Sequence, residues 1–185
     1  MNKSKSSLKL RCLVEGAIFV ALAQVLGYLK IWRMPWGGSV TLLMLPIFIY
    51  AVRWGVGPGL LAGFVLSILQ FVLDQSFTLG WQGIVFDYLL AFTLLGLAGL
   101  ASGKKGGIFW GSCAGAFGRF VSHYIAGATI WAEYMPEKFL GMTMTSPWIY
   151  SAIYNFIYVG LSLAASLVVL AVIYVPLKKY FTKQN

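Results

Sequence analysis

This chain of 185 residues contains few charged residues. Charged residues make up 10% of it, only 5 residues are acidic, and there is 1 histidine. A soluble globular domain is about 25% charged, so a soluble globule and a solvated disordered tail are both excluded. So little polar sequence also leaves no room for a large extramembrane domain with catalytic or nucleotide-binding machinery.

Cysteines are scarce as well. Cys12 and Cys113 lie in apolar stretches, lack the CxxC spacing and have no histidine neighbour, so they define neither a disulfide scaffold nor a metal site. A single histidine cannot form a multi-histidine metal site. The sequence also contains no P-loop, HExxH or nucleophile-elbow motif. We therefore expect no catalytic residues, no bound metal and no cofactor.

Apolar residues take the place of the missing charge. They make up 59% of the chain, and the mean hydropathy is +0.81. A membrane-spanning helix needs about 20 mostly apolar residues, and breakers and charges delimit six apolar stretches. These run over 9–29, 39–52, 55–73, 82–101, 107–131 and 147–175. The sequence predicts an all-α integral membrane protein with six transmembrane helices in one membrane domain, 1–185, whose short second stretch is tilted, broken or partly re-entrant.

The basic residues predict how these helices are oriented, because Lys and Arg collect in cytoplasmic loops. With the N-terminus inside, ten of the 14 basic residues fall on the inner side and three, Lys30, Arg33 and Lys138, on the outer side. The ten are Lys3, Lys5, Lys9, Arg11, Arg53, Lys104, Lys105, Lys178, Lys179 and Lys183. Both termini are therefore predicted to be cytoplasmic. The net charge of +9 then reflects membrane topology, and nucleic acid is not an expected partner.

Ionisable residues inside a span are candidates for a functional site. Asp87 lies near the outer end of the fourth span without a basic residue within one turn, so its carboxylate needs a partner from another helix or from a ligand. Arg119 and His123 are four residues apart on the fifth span and share a face, which Gly127 and Trp131 continue. The alternative is that Arg119 neutralises Asp87 as a purely structural ion pair.

The sixth span begins with further polar and aromatic residues, Tyr150, Tyr154 and Asn155, again at its outer end. A carboxylate and a Trp suit a ligand with a positive charge and a flat ring, while Asn, Tyr and His match the donors and acceptors of a heterocycle. The combination predicts a small-molecule pocket. Taken singly, Trp131 fits an interfacial aromatic belt, and Tyr150 and Asn155 fit hydrogen bonding between helices.

The first span carries two separate features. Glu15 lies one turn from Arg11, and an ion pair between residues i and i+4 accounts for it. Ala17 and Ala21 are four residues apart, a spacing of small residues that lets another helix approach closely. That other helix belongs either to a partner protein or to the same chain.

With these residues in view, the chain resembles the thiamine-specific substrate-binding (S) component of energy-coupling factor (ECF) vitamin transporters, the ThiT/YuaJ type. Four segments carry the resemblance, which covers nearly the whole chain. They are Ala17-xxx-Ala21, Thr41–Pro46 followed by Arg53-Trp54-Gly55, Asp87–Ala91, and His123–Gly127 with Trp131, Tyr150 and Asn155. The first two are typical of S components in general, and the last two are specific to the thiamine type.

The resemblance implies a high-affinity thiamine-binding protein with six helices in a bacterial cell membrane. Its pocket opens near the outer surface under the loop between the first two helices. Asp87 matches the family's acidic ligand contact, and Tyr88, His123, Gly127, Trp131, Tyr150 and Asn155 match other positions that contact thiamine. Arg119 matches a basic position one turn before the His, Trp36 lies near the lid aromatic, and Phe77 stands where a Tyr occurs.

The resemblance also implies partners. Ala17 and Ala21 match the face that meets the transmembrane coupling subunit, beneath which two ATPases supply the energy for import. One alternative is an S component for another vitamin, such as riboflavin or biotin, which the combination of acid, His, Trp and Asn argues against. Another is a small integral membrane enzyme that uses Asp87 and His123 as acid and base.

Overall fold

The protein is described here by a computed structural model that covers residues 3–34, 37–73 and 78–181. Six helices contain most of these residues, which confirms the predicted all-helical fold class. They are α1 (Lys3–Tyr28), α2 (Met44–Trp54), α3 (Val56–Leu73), α4 (Gly80–Ala101), α5 (Gly107–Thr129) and α6 (Pro147–Leu177). Short 3₁₀ turns at Ala132–Tyr134 and Lys178–Tyr180 follow α5 and α6.

The helices differ in whether they suit a bilayer. Four of those described, α1, α3, α4 and α6, are long and apolar enough to cross a membrane. Large apolar side chains such as Leu13, Val72 and Phe156 are exposed on them, as expected of surfaces that contact lipid rather than water. Helix α5 has 23 residues and carries Arg119 and His123 among them.

The second predicted stretch, 39–52, is not one continuous helix. It begins as a short strand, Ser39–Val40, and α2 starts only at Met44. With 11 residues, α2 is about 16 Å long, roughly half the thickness of a hydrocarbon core. Nine of its residues, including Phe48 and Arg53, are buried, so α2 is a central packing element of the bundle.

Helix α4 changes its winding along its length. It begins as α-helix over Gly80–Gly83, becomes π-helical over Ile84–Leu90 and ends as 3₁₀ helix over Leu94–Ala101. The carbonyl oxygen of Phe86, inside the π-helical part, accepts a hydrogen bond from Ser122 Oγ on α5 at 2.6 Å. Helix α5 thus donates a hydrogen bond to a carbonyl oxygen in the π-helical turn, which is wider than a turn of α-helix. Such π-helical turns often occur at functional sites, and this one contains Asp87.

Glycines let α3 and α4 meet at backbone distance. A Cβ atom on Gly96 would overlap the backbone of Leu60, and one on Gly63 would overlap the carbonyl oxygen of Phe92. Such packing through small residues is typical of helices in membranes. Because lipid is as apolar as the side chains, close van der Waals contact takes the place of the hydrophobic effect in holding these helices together.

Two antiparallel hairpins lie at the end of the bundle where α1 ends and α6 begins. The first pairs β1 (Trp32–Arg33) with β2 (Ser39–Val40), and the second pairs β3 (Lys138–Phe139) with β4 (Met142–Thr143). Leu140 and Gly141 turn the second hairpin with φ angles of 51° and 78°, as a tight two-residue turn requires. At the opposite end, Arg53 at the end of α2 contacts both Glu15 of α1 and the Tyr180 carbonyl. The start of α1 and the end of α6 therefore lie at the same end.

Candidate functional site

The hairpin end of the bundle encloses a cavity of about 610 Å³, a volume typical of small-molecule sites. Its walls come from the ends of α1, α3, α4, α5 and α6 and from the segment after α1. Eight of the predicted site residues line it together: Asp87, Tyr88, Arg119, His123, Gly127, Trp131, Tyr150 and Asn155. The other two, Trp36 and Phe77, lie outside the described residues.

The Asp87 carboxylate is held by one hydrogen bond on each oxygen. The indole Nε1 of Trp131 donates to Oδ2 at 2.8 Å, and Nδ1 of His123 lies 3.1 Å from Oδ1. These bonds fix the carboxylate between α4 and the end of α5 while it still borders the cavity. Each carboxylate oxygen can accept more than one hydrogen bond, so Asp87 retains capacity for a ligand.

Arg119 contacts His123 rather than Asp87. Its Nε donates to Nε2 of His123 at 3.3 Å, and its guanidinium carbon lies 4.7 Å from the centre of the Phe92 ring. Because arginine only donates, Nε2 must be the accepting nitrogen of a neutral imidazole, which leaves the Nδ1 proton for Asp87. The direct Arg119–Asp87 ion pair that the sequence left open is thus replaced by a chain of three side chains.

Three tyrosines of α6 form the aromatic wall. Tyr150, Tyr154 and Tyr158 follow one another at four-residue spacing, with ring centres 5.6 and 5.8 Å apart. The Tyr154 hydroxyl accepts from the Gly38 backbone N–H at 2.9 Å, and Phe139 of the second hairpin packs on the Tyr150 ring at 5.3 Å. Both hairpins are therefore tied to this wall, which forms one boundary of the cavity.

Asn155 connects the same wall to α5. Its Nδ2 donates to the Ser151 carbonyl at 2.8 Å, to Ser151 Oγ at 3.0 Å and to the His123 carbonyl at 3.3 Å. A Cβ atom on Gly127 would overlap Ser151 Oγ, so glycine is needed there for the helices to meet. The Asn155 nitrogen is engaged inside the protein, and its amide oxygen is the atom left for a ligand.

Several lining residues were not singled out from the sequence. Tyr158 continues the four-residue spacing of Tyr150 and Tyr154, which is a signal that the sequence did contain. Gln70 of α3 and Ser151 of α6 are polar residues in apolar stretches, and their position only becomes clear in three dimensions. The lining residues of this group are Gln70, Lys30, Arg33, Phe92, Ser151 and Tyr158.

The two alanines predicted to face a partner lie outside the cavity. Ala17 and Ala21 are both exposed on α1, so no other helix of the described chain covers them. Their immediate neighbour Gly16 is instead buried, since a Cβ atom there would lie 2.9 Å from the Tyr50 hydroxyl. Helix α1 thus packs with one face on the bundle and presents Ala17 and Ala21 on the other.

The expected ion pair of Glu15 with Arg11 is confirmed at 2.9 Å. The structure adds Arg53, which contacts both carboxylate oxygens at 2.7 and 3.1 Å, and Trp54, whose Nε1 donates at 2.7 Å. Arg53 also donates to the Tyr180 carbonyl at 3.0 Å. This cluster joins α1, α2 and the chain after α6 at the end opposite the cavity.

Fold and site together define a small multi-pass membrane protein with a ligand cavity between its helix ends. The solved structure of ThiT from Listeria monocytogenes has the same fold, with a TM-score of 0.79 over 94% of this chain and 98% of that one, at 23% identity. The family model described as Thiamine transporter protein (Thia_YuaJ) matches residues 13–182. The chain therefore belongs to this thiamine transporter protein family.

Two curated relatives agree with that assignment. The thiamine transporter ThiT of Bacillus subtilis (strain 168) is 30% identical over 189 residues, covering 94% of each chain. Its counterpart from Lacticaseibacillus paracasei (strain ATCC 334) is 34% identical over 160 residues, covering 77% of this chain and 76% of that one. The family is one of bacterial transporters, which confirms that the chain is a multi-pass membrane protein and not an enzyme.

Proposed function

We propose that this protein binds thiamine in the cavity at the hairpin end and acts as the substrate-binding component of an ECF-type importer. Family membership supports thiamine as the transported molecule. The observation that carries the proposal at the level of residues is the Asp87 carboxylate. It borders the cavity, and its only partners among the described residues are Trp131 and His123.

The chemistry of thiamine fits this arrangement. Thiamine contains a cationic thiazolium ring and an aminopyrimidine ring. A carboxylate attracts the cation or accepts from the amino group, and aromatic side chains pack on flat rings. The neutral His123, the Asn155 amide oxygen and the tyrosine hydroxyls supply hydrogen-bonding groups for the pyrimidine edge.

Binding is the direct test of this function. The purified full-length protein, washed free of ligand, is titrated with thiamine while its tryptophan fluorescence and the heat of binding are recorded. We expect saturable binding with quenching of fluorescence, because Trp131 borders the cavity. Riboflavin and biotin serve as controls and are expected not to bind. Binding of either vitamin in place of thiamine would contradict the proposal.

We further propose that the exposed Ala17 and Ala21 face of α1 meets a transmembrane coupling subunit that carries two ATPases, with both termini of this chain in the cytoplasm. Small exposed residues on an otherwise bulky apolar helix support a close contact with another helix. Their distance from the cavity lining separates this role from ligand binding.

A bulky residue on this face tests the partner proposal. Ala17→Trp is expected to leave thiamine affinity unchanged and to abolish thiamine uptake by cells that contain the coupling subunit and the ATPases, because the helices no longer approach. Uptake and co-purification of the subunits are the measurements. Leu22→Trp, at an exposed apolar position on another face of the same helix, is the matched control. If Ala17→Trp instead lost thiamine binding and still assembled with the other subunits, this face would serve ligand binding and not the partner contact.

A further inference from the structure

Two glutamines face each other where α1 meets α3. Gln24 and Gln70 are each only 7% exposed, and Gln70 Nε2 donates to Gln24 Oε1 at 2.9 Å. Gln70 also lines the cavity. Polar side chains inside spans are costly in a bilayer and mark functional positions, so the pair calls for an explanation beyond helix packing.

The hydrogen bonding of this pair is incomplete. Two primary amides placed face to face can exchange two hydrogen bonds, whereas these two make one. Nε2 of Gln24 is buried and has no hydrogen-bond partner among the described residues. Oε1 of Gln70 likewise makes no hydrogen bond to any residue that the structure describes. A pair that served only to hold α1 on α3 would be expected to satisfy both amides.

The surroundings fix which atom of Gln70 remains for a ligand. Gly27 brings α1 so close that a Cβ atom there would lie 3.0 Å from Gln70 Nε2 and 2.8 Å from Leu43 Cδ1. The amide nitrogen is therefore held against α1, where Gln24 accepts its proton. Gly27, Leu43 and Gln70 form one wall of the cavity, and the unused oxygen of Gln70 is the acceptor on that wall.

We propose that Gln70 is a ligand-contact residue whose amide oxygen accepts a hydrogen bond from an uncharged donor of the ligand, and that Gln24 positions it. The proposal rests on the proposed function, thiamine binding. His123 and Trp131 both contact Asp87 on the α4–α5 side, and these three side chains suit the two rings. The remaining polar group of thiamine is the hydroxyl of its hydroxyethyl arm, an uncharged donor that matches a neutral amide oxygen.

The test compares the binding of two ligands to the unmodified full-length protein and to the variant Gln70→Leu. Thiamine and an analogue with an ethyl group in place of hydroxyethyl are titrated against the unmodified protein and Gln70→Leu. We expect the substitution to weaken thiamine binding about fivefold, as for one lost neutral hydrogen bond, and to leave the affinity for the analogue unchanged. Ser67→Ala is the matched control, because Ser67 is buried on the same helix and bonds Phe64. It is expected to change neither affinity.

Gln24 is tested as a positioning residue. Gln24→Leu removes the acceptor that holds Gln70 and is expected to weaken thiamine binding while sparing the analogue. Gln24→Glu keeps an acceptor oxygen at the same distance and is expected to restore the affinity for thiamine. A residue that merely filled space would affect both ligands alike and would show no such rescue.

Three outcomes overturn the inference: equal affinity of the unmodified protein for both ligands, no loss in Gln70→Leu, or the same loss for thiamine and the analogue. If Gln70→Leu does not yield folded protein, Gln70→Met keeps the chain length without the amide oxygen and is measured in its place. An unmodified protein that binds neither ligand would instead contradict the proposed function, so the two failures are distinguishable.

Discussion

The two ends of the helix bundle use the same kinds of side chain in opposite ways. At the end opposite the cavity, Glu15 receives an indole N–H from Trp54 and three further contacts from two arginines. Both carboxylate oxygens are engaged, and Arg53, only 4% exposed, is bonded to Tyr180 as well. Such a fully paired cluster fixes helices and leaves nothing for a ligand.

At the cavity end, Asp87 also receives an indole N–H, here from Trp131. Its second partner is a neutral His123, and Arg119 donates to that histidine rather than to the carboxylate. The carboxylate is oriented but its charge is not cancelled by a directly bonded cation among the described residues. The comparison shows that an acid inside a membrane protein becomes a candidate ligand contact when its neighbours orient it without neutralising it.

The largest effect is expected from disrupting the paired cluster opposite the cavity, and it is an effect on stability. Glu15→Gln leaves the buried Arg53 without its carboxylate, which typically costs about 3–5 kcal/mol. The thermal unfolding temperature in detergent is expected to fall sharply while thiamine affinity of the remaining folded protein is unchanged. Glu133→Gln, at an exposed acid, is the control. Unaltered stability in Glu15→Gln would show that the cluster does not hold the helices.

The second effect is on ligand binding. Asp87→Asn keeps the size of the side chain and removes its charge, so thiamine affinity is expected to fall at least about tenfold, or about 1.4 kcal/mol. An amide has only one accepting oxygen, so one of the two hydrogen bonds from Trp131 and His123 is lost. Because one neutral hydrogen bond is worth about 1 kcal/mol, the unfolding temperature is expected to fall only slightly. Titration calorimetry and thermal unfolding measure the two quantities. Unchanged affinity would remove Asp87 from the site.

The smallest effect is expected from removing one indole N–H at each end. Trp131→Phe keeps an aromatic ring and deletes the bond to Asp87, which is expected to weaken thiamine binding by about 1 kcal/mol. Trp54→Phe deletes the matching bond to Glu15 and is expected to lower stability by a similar amount without changing affinity. If both variants changed the same quantity, either thiamine affinity or stability, the separate roles of the two ends would be contradicted.

Much of the site was predictable because charge is so rare in this sequence. Asp87, Arg119 and His123 stood out against apolar neighbours, and helical periodicity placed Gly127 and Trp131 on the same face. The structure brings these residues to one cavity, and thiamine binding by them stays a prediction. Tyr158 was missed although its spacing continued a visible pattern. Gln70 was missed because a lone polar residue in an apolar helix gives no sign of what it faces.

Other features of the fold had no local signal. In the π-helical turn around Asp87, the Phe86 carbonyl accepts a hydrogen bond from Ser122 of α5. The strand before α2 depends on its pairing with residues before it, at Trp32–Arg33. Periodicity describes one segment at a time, so the widened turn in 82–101 and the interrupted stretch 39–52 were both expected as single spans.

The sequence by itself determined that this protein belongs in a membrane, that it forms six helices, and which of its few charged residues needed an explanation. Composition and periodicity suffice for this because the bilayer imposes strict rules on each segment. The tertiary structure alone decided which acid is paired and which is open. The partners of Asp87 lie 36 and 44 residues away along the chain, and the main partner of Glu15 lies 38 away. Contacts over such separations are set by how the helices pack.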